Sequence, residues 1–167
     1  MHQKHRETWR RELNKKNRML GKVYIEFRKV NNKYVQKESK PQRAMGPKCS
    51  SSFCARSKVL FCSNLTEDIQ QQIIERFWSM AWKENKMYVR SMVDTESVKR
   101  KTIGSKSRRS ETRLYYLQIH GKKERVCLKT FLATLDIKEW TVRYWLRGRA
   151  DDNSVHTILS PSSPTSK

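Results

Sequence analysis

Four cysteines are the residues of this 167-residue chain whose type and spacing suit chemistry. Cys49, Cys54 and Cys62 fall in the single segment PKCSSSFCARSKVLFC, and Cys127 is the remaining one. Three neighbouring thiolates with a fourth ligand, from Cys127 or His120, match the ligand set of a tetrahedral zinc site. Such a site contributes folding free energy directly, which a chain with a thin core needs. The spacing contains no C-x2-C pair, so separate buried thiols are the alternative. Structural disulfides are not expected, because MHQKHRETWRR has no apolar segment behind its charges and no secretory signal.

Catalytic constellations are missing. The chain has no phosphate-cradling glycine loop with Lys and Ser or Thr, no H-E-x-x-H and no G-x-S-x-G. His2 and His5 sit among basic residues, His156 near the end, and none has a local partner. Asp94, Asp136 and Asp151 read as caps and turns, so a non-enzyme is expected.

Charge narrows the partner. Lys and Arg number 37 against 16 Asp and Glu, for a net charge of +21. A surplus of this size suits a polyanion: DNA, RNA or an anionic membrane surface. Membrane is the weakest of these, since no apolar run approaches about 20 residues and no lipidation signature is present. Hydrophobic residues make up 36% of the chain, below the roughly 45–50% of ordinary domains. Long solvated segments are therefore expected beside a core anchored by aromatics.

The elements that must position these residues can be read in turn. Residues 1–21 form a basic arm, either helical with Leu13 on one side or solvated. Val23, Ile25 and Phe27 alternate with polar residues and reach Asn31-Asn32, a hairpin signal. Thr66 or Asn64 caps a helix to Trp82 whose stripe is Ile69, Ile73, Ile74, Phe77 and Trp78. A second helix covers 84–93, with Met87, Tyr88 and Met92 in the core. These elements place a hairpin, the cysteine cluster and a helical core in 22–98. Lys99, Arg100, Lys101, Lys106, Arg108 and Arg109 then mark a basic linker over 99–111, suited to nuclear import, to phosphate contact or to solvation alone. A second hairpin around His120-Gly121 opens the unit 112–149, and 150–167 reads as a disordered tail.

The segment CLKTFLATLDIKEWTVRYWLRG reads as two short helices about a turn. Phe131, Leu135, Ile137, Val142 and Trp145 fall inward; Lys138, Glu139, Thr141, Arg143, Tyr144 and Arg147 fall outward. This is a helix-turn-helix variant: Asp136 stands at the turn where glycine is usual, and Leu132 where a small residue is usual, with Ala133 one place late. The expected fold is mainly α with one or two small β-hairpins (α+β) and this helix-turn-helix-like unit at its C-terminal end.

Several blocks also carry a resemblance. GKVYIEFRKV, the cysteine run, a helix with Ile73, Ile74, Phe77 and Trp78, the basic linker and a VCxKxFLxTLxI block occur in this order. The last block is Val126, Cys127, Lys129, Phe131, Leu132, Thr134, Leu135 and Ile137. Over roughly residues 21–148 the chain resembles the N-terminal region of arthropod proteins derived from mobile elements, although the arginine that opens their helix pattern is lacking. The resemblance implies a metal-binding or otherwise compact knuckle at the cysteines and a DNA-contacting helical unit at the end. It also implies that any catalytic domain lies beyond the part represented here.

The expected function is therefore a nuclear DNA-binding protein without a catalytic domain. Lys138, Thr141, Arg143 and Arg147 would contact bases or backbone, and Lys99, Arg100, Lys101, Arg108 and Arg109 would hold phosphates of double-stranded DNA. Zinc at Cys49, Cys54, Cys62 and Cys127 is the expected cofactor. One alternative is an RNA-binding module stacking bases on Tyr34, Tyr115 and Tyr116. Another is an interaction fragment that self-associates or pairs with a longer element protein through Ile73, Phe77 and Trp78.

Overall fold

The computed structural model describes residues 10–97 and 111–147. The linker positions Lys99, Arg100, Lys101, Arg108 and Arg109, and the tail 150–167, lie outside the described residues. In chain order the elements are α1 (Arg10–Met19), β1 (Tyr24–Val30), β2 (Lys33–Lys40), α2 (Ser52–Arg56), a 3-10 turn (Phe61–Ser63), α3 (Glu67–Ser79) and α4 (Trp82–Ser91). β3 (Val93–Ser97), β4 (Glu111–Ile119), β5 (Lys122–Val126), α5 (Leu128–Leu135) and α6 (Glu139–Arg147) follow.

The expectation of a mainly α chain is overturned. β1 and β2 make a two-stranded antiparallel ribbon, and β3, β4 and β5 make a three-stranded antiparallel sheet in that order. The second sheet is not a bare hairpin because β3 joins its edge, pairing Val93 with Tyr115 and Ser97 with Glu111. Residue 93 therefore opens a strand where the sequence suggested the end of a helix. Both tight turns use two residues with positive φ, Asn31-Asn32 and His120-Gly121, as the right-handed twist of a hairpin demands.

The helix-turn-helix-like unit is also corrected. α5 and α6 exist, and Asp136 between them adopts a left-handed conformation at φ 46°, ψ 49°. Their main packing partners are other elements. α5 packs on α3 and β4, whereas α6 packs on α4. Ala133 serves a different contact: its carbonyl accepts a hydrogen bond from Gly46 N–H at 2.8 Å, and its Cβ lies 3.1 Å from where a Gly46 Cβ would stand. The small residue accommodates a loop, not a helix crossing.

The core lies where the helices meet the three-stranded sheet, with Phe77, Val89, Val93, Leu117, Phe131, Leu135, Val142 and Trp145 buried together. α3 begins as expected, with Ile69 N–H donating to Thr66 Oγ1 at 3.4 Å. Its inward face includes Gln70, whose Nε2 donates to the equally buried Thr134 of α5 at 3.0 Å. Trp78 Nε1 donates to the Leu135 carbonyl at 3.1 Å. Arg90 of α4 donates from Nε to the Trp145 carbonyl in the last turn of α6 at 2.9 Å, where a cation meets the negative helix end. Met87, expected in the core, is instead exposed.

One knot joins the ribbon to this body. Arg43, just past β2, donates from its N–H to the Gly21 carbonyl at 2.8 Å, and its guanidinium lies 5.5 Å from the Trp78 ring centroid. The same guanidinium donates to the Asp136 carbonyl at 3.2 Å, and Ala44 N–H donates to the Asp136 carboxylate at 3.3 Å. Gly21 has φ +67°, and a Cβ there would stand 2.6 Å from the Trp78 ring. Gly121 has φ +81° and open space around it. Gly21→Ala is expected to lose about 2 kcal/mol or more from backbone strain and overpacking, and Gly121→Ala only the strain, in urea unfolding. Equal losses would show that the Trp78 contact does not hold the ribbon root.

Candidate metal centre

Four separate pieces of backbone bring the cysteines together. Cys49 stands in the loop after β2, Cys54 in the short helix α2, Cys62 in the 3-10 turn and Cys127 at the N-cap of α5. α2 and the 3-10 turn fold against each other, with Ser63 Oγ donating to the Cys54 carbonyl at 3.5 Å. The β5 strand then delivers Cys127 into the gap they leave. All four sulfurs lie within 4.8 Å of one another, so the set can hold a metal ion.

The geometry suits coordination rather than oxidation. Cys49 Sγ and Cys127 Sγ are 3.8 Å apart, far beyond the roughly 2.05 Å of a disulfide. A tetrahedron of sulfurs at about 2.3 Å from a central ion has edges of about 3.8 Å. His120, the other candidate for the fourth position, sits instead in the exposed β4–β5 turn. Cys54 and Cys62 are buried and Cys49 and Cys127 half-buried, so an ion held here would be largely shielded from water.

Donors surround the sulfurs. Cys127 N–H points to Cys62 Sγ at 3.2 Å, Thr130 N–H to Cys127 Sγ at 3.4 Å, and the Thr130 hydroxyl to Cys62 Sγ at 3.3 Å. Such N–H and O–H groups orient thiolates and stabilise their charge, the usual work of groups behind metal ligands. Burial raises the Cys127 thiol, but hydrogen bonds from Thr130, Cys62 and Cys49 outweigh it and bring Cys127 down to about 7. Burial pushes Cys54 up to about 12, and it raises Cys62 as well. Without an ion, one thiolate is favoured and its neighbours resist ionising beside it.

The remaining sequence-derived residues lie apart from the sulfurs. Lys138 and Arg147 are exposed at the two ends of α6, while Thr141 is half-buried. Arg143 is exposed and forms an ion pair with Glu139 one turn earlier. A cleft of about 700 Å³ connects the two regions: Arg113, Arg125 and Arg143 line it together with Cys127, Glu111 and Glu139. Sequence reasoning did not single out Trp140, which is 64% exposed on α6 beside Tyr144 at 66%. The available signal was its position between the inward residues Ile137 and Val142, off the buried stripe.

Because Cys54 and Cys62 hold their protons at neutral pH, an ion must displace them. Affinity for a thiophilic ion is therefore expected to rise with pH and to fall below pH 7, where Cys127 also protonates. Titration with Co²⁺, read by its sulfur charge-transfer and tetrahedral d–d bands, checks this; binding that ignores pH would count against a four-thiolate site. Comparison of the chain with protein-family models, with curated proteins and with solved structures finds no match.

Proposed function

We propose that this chain is a zinc-stapled module that binds double-stranded DNA in the nucleus. The observation that carries the reading is α6 in a chain of net charge +21. Val142 and Trp145 anchor this helix, while Lys138, Trp140, Arg143, Tyr144 and Arg147 stand exposed. Cations and aromatic faces alternating on one outer helical surface suit phosphates and base edges. Arg113 and Arg125 at the adjoining cleft continue the cationic surface toward the cysteines, with Glu111 and Glu139 also in its lining. Descent from a mobile element is the origin that the sequence resemblance favours.

Zinc is the ion proposed for the four-sulfur set, because four cysteine ligands make a closed structural site with no open position for reaction. Its role is then mechanical. It ties the loop after β2, α2, the 3-10 turn and the start of α5 into one base, on which the sheet and α6 keep a fixed relation.

Two features weigh against the rival readings. Tyr115 is buried against Phe131, with ring centroids 5.4 Å apart, and Tyr116 lies under the Lys123 ammonium at 4.5 Å. Neither offers a free platform for RNA bases, and the Tyr34 side chain lies outside what is described. Ile73 and Phe77 are already buried in the core, so the face suggested for self-association is occupied within the chain.

The purified chain is expected to carry one zinc per molecule, and Cys62→Ser to lose the zinc together with cooperative thermal unfolding. If about six phosphates are neutralised, log K for a duplex should fall against log salt with a slope near −5. Salt-insensitive binding, or none, would remove the DNA reading. Arg143→Ala is expected to narrow the difference in affinity between selected and random duplexes by about 1–3 kcal/mol. An unchanged ratio in parallel anisotropy titrations would show that α6 does not read bases.

A further inference from the structure

The ribbon formed by β1 and β2 carries a second surface, distinct from α6, and its charge is unevenly placed. Its distal half, residues 27–36, holds Arg28, Lys29 and Lys33 and no carboxylate. Glu26 and Glu38 stand nearer its root, where Glu26 pairs with Lys40 at 3.6 Å. The ladder shifts register between Ile25 and Phe27, at the boundary between the two halves. Such a bulge bends a strand and tightens its twist, setting the distal half at its own angle.

This distal half has little cover. Phe27, Val30 and Val35 are 39%, 46% and 49% exposed, and they are interleaved with cations: Arg28 faces Val35 and Lys33 faces Val30 across the ladder. The ribbon's main helical neighbour is α1, whose Asn14 accepts from Ile25 N–H at 3.2 Å and whose Asn17 donates to the Val23 carbonyl at 3.0 Å. Both contacts lie on the root side of the bulge.

We infer that the distal β1–β2 ribbon enters the major groove of duplex DNA by the face that carries Arg28, Val30, Lys33 and Val35, its two cations on phosphates or guanine edges and its two valines against thymine methyls, while Lys29, on the opposite face with Phe27, reaches only backbone phosphates. A two-stranded ribbon fits a groove about 12 Å wide, and the distal residues of each strand reach ~13 Å. Charge favours a polyanion over an apolar protein face or a lipid tail: three cations stand in residues 27–36 without a carboxylate, and the interleaved valines suit base methyls. The ribbon root is bonded through Arg43 and Ala44 to Asp136, two residues before Lys138 at the start of α6. Ribbon and α6 thus leave one fixed point and can address the same duplex. The inference rests on the DNA-binding reading proposed above.

The test uses the full chain and two short mixed-sequence duplexes, one ordinary and one whose cytosines are glucosylated 5-hydroxymethylcytosine, which fills the major groove. R28A/K29A/K33A is expected to bind the ordinary duplex about tenfold more weakly and to reduce the salt slope by about 2–3. The charge-preserving R28K/K29R/K33R should keep the slope, and the glucosylated duplex should weaken the native chain more than the alanine variant. If the native chain binds duplex DNA but the alanine variant keeps its slope, or the glucosylated duplex is bound equally well, the ribbon inference falls and the DNA reading stands. A charge-preserving variant that loses the slope overturns it too, as does a dimer abolished by the ribbon substitutions. If the native chain binds neither duplex, both readings fall together.

Discussion

Four sulfurs gathered within 4.8 Å of one another bring together segments that lie far apart in the chain. Three come from one short segment, and the fourth from the N-cap of α5, 65 residues beyond Cys62. Closing a loop of that length costs chain entropy that grows only slowly with its size, so one strong multidentate contact can fasten distant segments. In the segment around α2, Cys54 and Cys62 are buried and Leu60 and Phe61 pack partly buried against the core, while Phe53 and Val59 are exposed. Its path follows both the sulfur placement and this apolar contact.

The body beyond the sulfurs follows from that anchorage. α5 starts at Cys127 and continues against α3, where buried Gln70 meets Thr134 and Trp78 meets the Leu135 carbonyl. Its left-handed end at Asp136 then collects Arg43 and Ala44 from the ribbon root. A single helix of eight residues therefore links the sulfur cluster, the core and the ribbon. The chain directs its cations outward from this framework, on α6 and on the distal ribbon, which is the placement a polyanion would meet first.

What the sequence disclosed followed locality. Thr66 and the Ile69, Ile73, Phe77 stripe announced α3 because a cap and a 3.6-residue period are local signals. Asn31-Asn32 announced the first hairpin for the same reason. β3 stayed hidden because Val93-Asp94-Thr95-Glu96-Ser97 has one core residue, and its ladder comes from β4 beyond a long intervening segment. The period of α5 and α6 was legible but their partners were not: an apolar stripe states that a helix is buried, not against what. The cysteine set was legible by residue type, while the choice of Cys127 over His120 depended on a contact across the whole chain. The ribbon root was invisible for a similar reason, since Arg43 and Asp136 are 93 residues apart.

Whether Cys49, Cys54, Cys62 and Cys127 bind one ion together is read from X-ray absorption at the zinc edge of the purified chain. The expected spectrum is a single shell of four sulfurs at about 2.3 Å with no nitrogen or oxygen neighbour. A mixed shell containing nitrogen or oxygen, or a protein free of zinc with four alkylatable thiols in its folded state, would show that the four sulfurs do not hold zinc together.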